Sequence, residues 1–271
     1  QSHNRRRLAF DELLANQLAL TLVRARMRRS QGRSLGGDGR LRRAVIRSLP
    51  YTLTKAQTVA IAEIEADLAA PRRMLRLLQG DVGSGKTVVA ALAMLQAVEN
   101  GHQAALMAPT EILAEQHYRK LSQWLAPLGL EIAWLSGSLK KKDKAAMAEA
   151  IASGRAPLAI GTHALIEEAV DFSRLGLAII DEQHRFGVEQ RGQLEAKAGG
   201  AIAPHVLLMT ATPIPRTLGQ VLYADLDVSD LRTPPTGRIP IRTGIRRPDE
   251  LDGTWRKVRE EAASGHRTFV V

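Results

Sequence analysis

From residue 51 to residue 222, short apolar runs alternate with longer stretches that have helical character. The apolar runs predict buried strands, and the stretches between them predict helices. The predicted strands are 74–79, 104–108, 131–135, 157–161, 177–181 and 205–210. The predicted helices are 55–70, 86–99, 111–125, 140–153, 189–198 and 214–222. Apolar strands alternating with helices are typical of the α/β class, so we expect a mainly parallel sheet with helices on both faces.

The two ends of the chain depart from this alternation. Residues 5–29 show apolar residues at helical spacing and predict one long helix, whereas the glycines of 30–40 predict a flexible, poorly ordered linker. Residues 223–271 are less regular, although we expect a helix at 254–263 and the start of a strand at 267–271. We therefore divide the chain into an arm at 1–50, a main domain at 51–235 and a connector at 236–271, with a further domain expected to follow.

The positive charge is concentrated in the arm. Residues 1–50 contain 12 arginines against three acidic residues, which gives +9 of the total net charge of +10. A local basic block is typical of proteins that bind polyanions, and nucleic acid is the partner that it favours. The alternatives are a solvated helix face or a surface that packs on an acidic domain or braces the main domain.

The composition excludes several classes of protein. No apolar run approaches the ~18 residues of a membrane span, and no secretory signal is present near residue 1. The chain has no cysteine, which excludes disulfides and thiolate metal sites. We therefore expect a cytoplasmic protein with no membrane partner.

The most specific motif lies between the first predicted strand and the helix that follows it. It consists of Gly80, Asp81, Val82, Gly83, Ser84, Gly85, Lys86 and Thr87, which match the phosphate-binding loop G-x-x-x-x-G-K-[ST]. Glycines let several backbone N–H groups converge on one anion, next to the positive end of the helix dipole. We expect Lys86 to reach the β- and γ-phosphates of ATP and the Thr87 hydroxyl to bind Mg²⁺.

A second motif follows the predicted strand at 177–181. The apolar run ends in Asp181 and Glu182, and strand ends in a parallel sheet meet at one edge. We expect Asp181 to bind Mg²⁺, through water, beside the phosphate loop. Glu182 is expected to polarise the water that attacks the γ-phosphate.

Together these motifs resemble the superfamily 2 helicases, in which a DExH box, here Asp181–His184, follows such a loop. Further strings fall in the order of that superfamily: Leu53–Gln57 is similar to the glutamine element, Ala108–His117 to motif Ia, Gly161–Leu165 to motif Ib and Thr210–Pro213 to motif III. The resemblance implies that Gln57 reads adenine and that Pro109, Thr110, Thr162 and His163 contact the DNA backbone. It also implies that His184 couples the nucleotide site to Thr210, Ala211 and Thr212.

The longer strings resemble the bacterial branch-migration helicases, and the transcription-repair coupling factors are a close second. This resemblance implies an ATP-dependent DNA helicase that remodels stalled forks and branched DNA in recombination and repair, on the bacterial nucleoid, as a monomer. It also implies an N-terminal wedge domain and a second RecA-like domain with an arginine finger, neither of which fits in 271 residues. We therefore expect this chain alone to fold but to hydrolyse almost no ATP.

Simpler interpretations remain open at this point. The whole chain is also compatible with a DNA-binding module that binds nucleotide without hydrolysing it. Thr110 and Thr162 are residues that also commonly cap helices without binding a ligand. Gln57 is also compatible with a solvated side chain. His163 is compatible with a polar residue at a strand end, and His184 with a residue of the core. We assign the three tryptophans to packing, and Lys140–Lys142 to a solvated helix start.

Overall fold

A computed structural model of the chain describes residues 31–182, 202–212, 226–231, 244–247 and 250–269, together with positions 7, 10–12, 14, 15, 18, 194 and 197. The chain divides into two compact units, Gln1–Thr236 and Gly237–Val271. The predicted helix at 5–29 lies mostly outside the described residues, as do those at 189–198 and 214–222.

The described part of the first unit contains one sheet of seven strands, in which all neighbouring strands are parallel. The strands are β1 (Leu75–Gln79), β2 (Gln103–Met107), β3 (Ile132–Leu135), β4 (Leu158–Gly161), β5 (Leu175–Ile180), β6 (His205–Thr210) and β7 (Asp227–Asp230). Their order across the sheet is β3-β4-β2-β5-β6-β1-β7. The prediction of a parallel α/β sheet is confirmed.

In the described part of the first unit the helices are α1 (Arg40–Ser48), α2 (Lys55–Ala69), α3 (Lys86–Glu99), α4 (Glu111–Leu125) and α5 (Lys141–Ala152). No helix was predicted at the position of α1, whereas α2 to α5 fall close to their predicted positions. The second unit contains α6 (Leu251–Ala263). Within the described residues, no helix combines the length and the apolar character that a membrane crossing needs.

Successive residues of the strands β1 to β6 pack into two separate apolar cores. Leu78 and Ile179 belong to the core formed with α2 and α3, whereas Leu77 and Ile180 belong to the core that contains Ile151 of α5. A strand covered on both faces buries every side chain, and this explains the nearly continuous apolar runs of the sequence.

The strand β7 was not predicted because its sequence is polar. It pairs with β1 at the edge of the sheet, and its one fully buried residue is Ser229. The Arg76 guanidinium of β1 donates to Ser229 Oγ at 2.9 Å and to Glu63 Oε2 at 3.1 Å. Polar contacts therefore fix this strand.

Near the carboxyl end of the chain, the strand start predicted at 267–271 is not formed at 267–269, which have no regular structure.

The prediction of a poorly ordered linker at 30–40 was wrong for the described residues 31–40. Leu35 is 1% exposed, and its backbone N donates to Leu68 O at 2.7 Å. Gly32 N donates to Pro71 O at 3.3 Å, and a Cβ at Gly32 would lie 2.3 Å from the carbonyl carbon of Arg72. This glycine therefore permits a close backbone approach instead of providing flexibility.

The arm is fixed further by Glu99, the last residue of α3. Its carboxylate accepts hydrogen bonds from the backbone N of Gly39, Leu41 and Arg42 at 3.1, 2.7 and 3.2 Å. The same carboxylate accepts from Arg42 Nε at 3.1 Å, and the Arg42 guanidinium also donates to Gln96 Oε1 at 2.9 Å. Residues 31–49 are thus packed on the main domain.

Candidate nucleotide-binding site and nucleic-acid edge

The candidate residues lie where the parallel strands end, at the carboxyl edge of the sheet. Gln79 of β1 is in register with Thr210 of β6, and Gly80 N donates to Thr210 O at 3.2 Å. Directly after β5, Asp181 N donates to Met107 O at 2.9 Å. The phosphate loop, the Thr210 segment and the acidic pair therefore leave the sheet along the same edge.

The loop Gly80–Thr87 has the conformation that its glycines predict. Gly83 and Gly85 have φ values of 80° and 90°, which side chains other than glycine rarely adopt. No side chain caps α3 at Gly85, so the positive end of the helix dipole lies directly beside the loop.

The loop also fits a phosphate group. The side chain of Ser84 is 2% exposed, and its Oγ has no hydrogen-bond partner among the described residues. A Cβ at Gly83 would meet open space, and Asp81, Val82 and Gly83 are exposed. A buried hydroxyl without a partner beside an open glycine turn and an uncapped helix suits an anionic oxygen ligand.

The Lys86 ammonium is held over the start of the loop. Its Nζ donates to Gly80 O at 2.6 Å and to Asp81 O at 3.2 Å. Burial lowers the pKa of Lys86, while the charges of Asp181, Glu182 and Asp81 act in the opposite direction. This cation therefore lies within the electrostatic field of both carboxylates of the acidic pair.

The Asp181 carboxylate is buried and engaged on both oxygens. Its Oδ1 accepts from Glu182 N at 3.0 Å, and its Oδ2 lies 2.7 Å from His117 Nε2. The strand β6 lies between β5 and β1, so Asp181 is one strand further from the loop than direct neighbours would be. Glu182 is the one non-glycine residue with positive φ (49°) in the described part of the chain. Such backbone strain concentrates at functional sites.

Gln57 is buried at 3% exposure and supports the loop from behind. Its Nε2 donates to Ser84 O at 2.8 Å, while its Oε1 accepts from Thr54 N at 2.9 Å. Thr54 Oγ1 accepts in turn from Gln57 N at 3.2 Å, which completes a capping box at the start of α2. Thr54 is therefore the N-cap of this helix, and Gln57 is not a solvated side chain; adenine recognition by Gln57 stays a prediction.

The four predicted DNA contacts lie on two neighbouring strand ends. Ala108 N donates to Gly161 O at 2.9 Å, so the segments after β2 and β4 leave the sheet side by side. Thr110 is exposed, and its Oγ1 caps α4 by accepting from Leu113 N at 3.3 Å. Thr162 is buried, with no partner for its hydroxyl among the described residues, whereas His163 is exposed. Pro109, between Ala108 and Thr110, is partly exposed.

The predicted coupling segment begins at Thr210, the last residue of β6. Thr210 is buried, and its Oγ1 accepts from Thr212 N at 3.2 Å; Ala211 lies between them and Thr212 is exposed. His184 lies outside the described residues, so its predicted coupling role stays a prediction.

Two features of the edge were not predicted. His117 occupies the buried face of α4 together with Ala114, Leu121 and Leu125. A single ionisable residue in an otherwise apolar stripe was the signal in the sequence that could have drawn attention to it. The other feature is the turn after β3, where Ser138 N donates to Glu111 Oε1 at 2.9 Å. Hydrogen bonds from Ser138, with smaller ones from Ser136 and Gly137, lower the pKa of Glu111.

Comparison with protein families gives a match to the DEAD/DEAH box helicase model over residues 54–221. Curated relatives named ATP-dependent DNA helicase RecG include those of Mycobacterium bovis (47% identical over 98% of this chain), Escherichia coli strain K12 (50% over 91%) and Acidithiobacillus ferridurans (53% over 94%). The chain spans 38%, 36% and 37% of the length of these three relatives.

Solved structures agree with this comparison. The structure of RecG bound to a three-way DNA junction matches with a TM-score of 0.84 and 41% identity, over 96% of this chain and 35% of that one. The DEAD-box helicase Mss116 bound to ssRNA matches with a TM-score of 0.57 over 86% of this chain and 54% of that one. Its 17% identity shows a shared fold alone, which is the RecA-like helicase fold.

Proposed function

The chain belongs to the DEAD/DEAH box helicase family, and from that premise we propose that it is the first RecA-like motor domain of an ATP-dependent DNA translocase of the RecG kind. The observation that carries the proposal is that the phosphate loop with Lys86 and the pair Asp181 and Glu182 leave the sheet along the same edge, where the charges of both carboxylates raise the pKa of Lys86 against the effect of burial. An inert nucleotide clamp needs the loop but has no use for Glu182. We also propose that it acts in the bacterial cytoplasm, on the nucleoid, because the relatives that it matches are bacterial and are named DNA helicases.

ATP is the nucleotide that we propose for the loop Gly80–Thr87. The backbone N–H groups of the loop and Lys86 would hold its phosphates, and Gln57 would keep the loop in shape through Ser84. Bound Mg²⁺ would neutralise charge on the phosphates. In the described residues no group of three or more acidic or histidine side chains forms a metal site. We propose that Thr87 and Asp181, together with water and the phosphates themselves, hold Mg²⁺.

Glu182 is proposed as the general base. Its position directly after Asp181 places a second carboxylate at the edge where the phosphates would lie. Replacing it with glutamine keeps the shape and removes the base. We expect Glu182→Gln to bind ATP with unchanged affinity and to lose hydrolysis.

DNA is proposed to bind along the edge formed by Pro109, Thr110 and His163. These residues follow two neighbouring strands, and the RecG structure that matches this chain is bound to a DNA junction. The arginines of residues 1–50, apart from the buried and paired Arg42, are proposed to add salt-dependent affinity without sequence preference, since cationic side chains release counterions from phosphates.

We also propose that the motor needs partners within the same polypeptide. The relatives are nearly three times as long as the segment that this chain matches, which leaves room for a wedge domain and a second RecA-like domain. An arginine finger from such a domain would account for roughly 10³–10⁵ in rate. The chain alone is therefore expected to bind nucleotide weakly and to turn over almost none, and the full-length protein to act as a monomer.

The experiment that tests the proposal is steady-state ATP hydrolysis by the full-length protein with forked DNA, linear duplex and no DNA. We expect the fork to stimulate turnover most and Glu182→Gln to abolish it. Stimulation by stalled RNA polymerase and not by forks would favour a transcription-repair coupling translocase. Tight nucleotide-dependent DNA binding without any turnover would contradict the enzyme and favour the clamp.

A further inference from the structure

The buried contact between His117 and Asp181 joins two motifs that have separate predicted roles. His117 Nε2 lies 2.7 Å from Asp181 Oδ2, and both side chains are about nine-tenths buried. The two residues are 64 positions apart in the sequence and come from different elements, α4 and the end of β5. A polar contact at this distance and burial fixes the orientation of both groups.

The position of His117 on α4 is that of a core residue. The buried face of this helix is Ala114, His117, Leu121 and Leu125. An apolar residue at 117 would fill the same stripe without needing a hydrogen-bond partner. A histidine there needs one, and Asp181 Oδ2 supplies it.

The opposite oxygen of the carboxylate has a local partner. Asp181 Oδ1 accepts from Glu182 N, the backbone of the next residue. Among the described residues, the His117 side chain therefore sets the rotation of the carboxylate plane, while the backbone bond fixes the other oxygen. The charge of the carboxylate also reaches Lys86, where it opposes the effect of burial on the pKa of that lysine.

The helix that carries His117 begins at the proposed DNA edge. Thr110 caps α4, and Pro109 precedes it. Seven residues of helix, a rise of about 10 Å, separate this cap from His117. A displacement of the cap on DNA binding would therefore be passed to His117 through α4 alone.

We infer that His117 is a positioning residue that orients the Asp181 carboxylate for Mg²⁺ and, through α4, makes nucleotide turnover respond to DNA at Pro109 and Thr110. The inference rests on the proposed function, because it assigns Mg²⁺ to Asp181. Partners that orient a metal ligand without touching the metal commonly change metal affinity or activity by about 10- to 100-fold when removed.

The test uses the full-length protein with three substitutions at one position. His117→Leu keeps an apolar core stripe and removes the donor, His117→Gln places an amide N near the position of Nε2, and His117→Asn is too short to reach Asp181. Two quantities are measured: the Mg²⁺ concentration for half-maximal ATPase, and the affinity of a fluorescent ATP analogue with Mg²⁺ and with EDTA. The second does not depend on turnover.

We expect His117→Leu and His117→Asn to raise the half-maximal Mg²⁺ concentration about 10-fold and to lower DNA stimulation about fivefold. Affinity for the analogue in EDTA should stay unchanged, while the gain on adding Mg²⁺ shrinks. His117→Gln should keep most of the parent's Mg²⁺ dependence and most of its DNA stimulation. Leu121→Val on the same helix face is the matched control, because it weakens the same core without touching Asp181 and should leave both quantities unchanged.

Several outcomes would overturn the inference. If His117→Leu keeps the parent's Mg²⁺ dependence and DNA stimulation, the histidine is a packing residue. If His117→Leu fails to fold, equal values for the Gln and Asn variants lead to the same conclusion. If the parent protein itself shows no Mg²⁺-dependent, DNA-stimulated turnover, the proposed function fails together with this inference, and the two failures are thereby distinguished.

Discussion

The two ends of α3 differ in how their polar groups are hydrogen-bonded. At the carboxyl end, the Glu99 carboxylate receives three backbone N–H groups and the Arg42 guanidinium, and its side chain is 3% exposed. At the amino end, Ser84 Oγ is buried with no hydrogen-bond partner among the described residues, and the Lys86 ammonium is held by carbonyl groups of the loop.

Helix electrostatics sharpen this difference. An acidic residue at a helix C-terminus faces the negative end of the dipole, which is unfavourable for Glu99 as part of α3. The same carboxylate lies at the N-terminus of α1, where no side chain of α1 itself caps the helix. Glu99 is therefore the anion that caps α1 from another element. At the carboxyl end of α3, the fully hydrogen-bonded Glu99 carboxylate holds the arm in place. At the amino end, the Ser84 hydroxyl without a partner among the described residues is suited to a ligand.

The largest effect is expected at the amino end of α3. Lys86→Ala removes the cation aimed at the phosphates, and we expect DNA-stimulated ATP turnover of the full-length protein to fall about 10²- to 10³-fold, as for loss of one stabilising donor. Lys142→Ala, in the exposed start of α5, is the matched control and should keep full turnover. Normal turnover in Lys86→Ala would reject the assignment of the loop.

At the carboxyl end the expected loss is in stability. Arg42→Ala breaks a buried ion pair with Glu99 and a second contact of 2.6 Å with Glu65, so unfolding in urea should need about 3 kcal/mol less free energy. Arg155→Ala is the control, because its partners Glu131 and Glu149 are exposed and such pairs contribute about 0–1 kcal/mol. Equal losses of unfolding free energy in both variants would show that burial of the ion pair between Arg42 and Glu99 does not increase its contribution to stability.

Within the loop, two glycines offer a matched pair. Gly83 and Gly85 both have positive φ, which costs alanine about 1–2 kcal/mol. A Cβ at Gly85 would also lie 2.1 Å from Gln57 Nε2, whereas one at Gly83 meets nothing. Gly85→Ala should therefore lose about 1 kcal/mol more than Gly83→Ala, through the displaced hydrogen bond to Ser84. Urea unfolding of both variants measures the difference, and equal losses would contradict the role of Gln57 as a brace.

The smallest effect concerns the second anchor of the arm and depends on pH. His205 Nε2 donates to Arg33 O at 2.6 Å, and its Nδ1 accepts from Met74 N at 3.0 Å, so the ring must be neutral. Burial lowers the pKa of His205 from its ordinary value of 6.5; the nearby charge of Arg73 acts in the same direction, while the bond to Arg33 O and the charge of Asp67 oppose it.

The sign of the pH effect follows from that direction. Below pH 6.5 the unfolded chain binds a proton at His205 that the folded chain does not, so stability is full above pH 6.5 and is lost as the pH falls through the lowered folded value. His205→Asn keeps an acceptor for Met74 N but loses the hydrogen bond to Arg33 O, which should lower the free energy of unfolding by about 1 kcal/mol at pH 8. Because asparagine does not titrate, the variant should lose less stability than the parent as the pH falls. An unchanged slope between pH 8 and pH 5 would point to another group, such as His102, whose pKa burial also lowers.

Apolar periodicity was enough to predict the central sheet. The six predicted strands lie within two residues of their observed bounds, because strands buried on both faces have few polar positions. β7 could not be found in this way, since Ser229 is held by Arg76 and Glu63 from distant segments. The wrong prediction of a poorly ordered linker has the same explanation. Its hydrogen-bond partners, such as Leu68 and Glu99, lie 33 or more positions away in the sequence, so the local composition does not reveal them.

For the candidate site, the motif strings predicted which residues lie at the sheet edge, and the roles of those residues stay predictions. Local spacing gave no information on the partner of Asp181, because His117 reaches it only through the packing of α4. In the same way, the buried position of Thr162 depends on the neighbouring strands and not on its own sequence context.

The strand order has a consequence for synthesis on the ribosome. β1, which leads into the phosphate loop, pairs with β6 and β7, the last two strands of the sheet to be translated. Met74 and its partner His205 are 131 positions apart, a delay on the order of ten seconds at bacterial elongation rates. During that interval the loop has been made but neither flanking strand exists. Nucleotide is therefore expected to stabilise nascent chains only after Leu231, whose N bonds to Gln79 O, has left the exit tunnel.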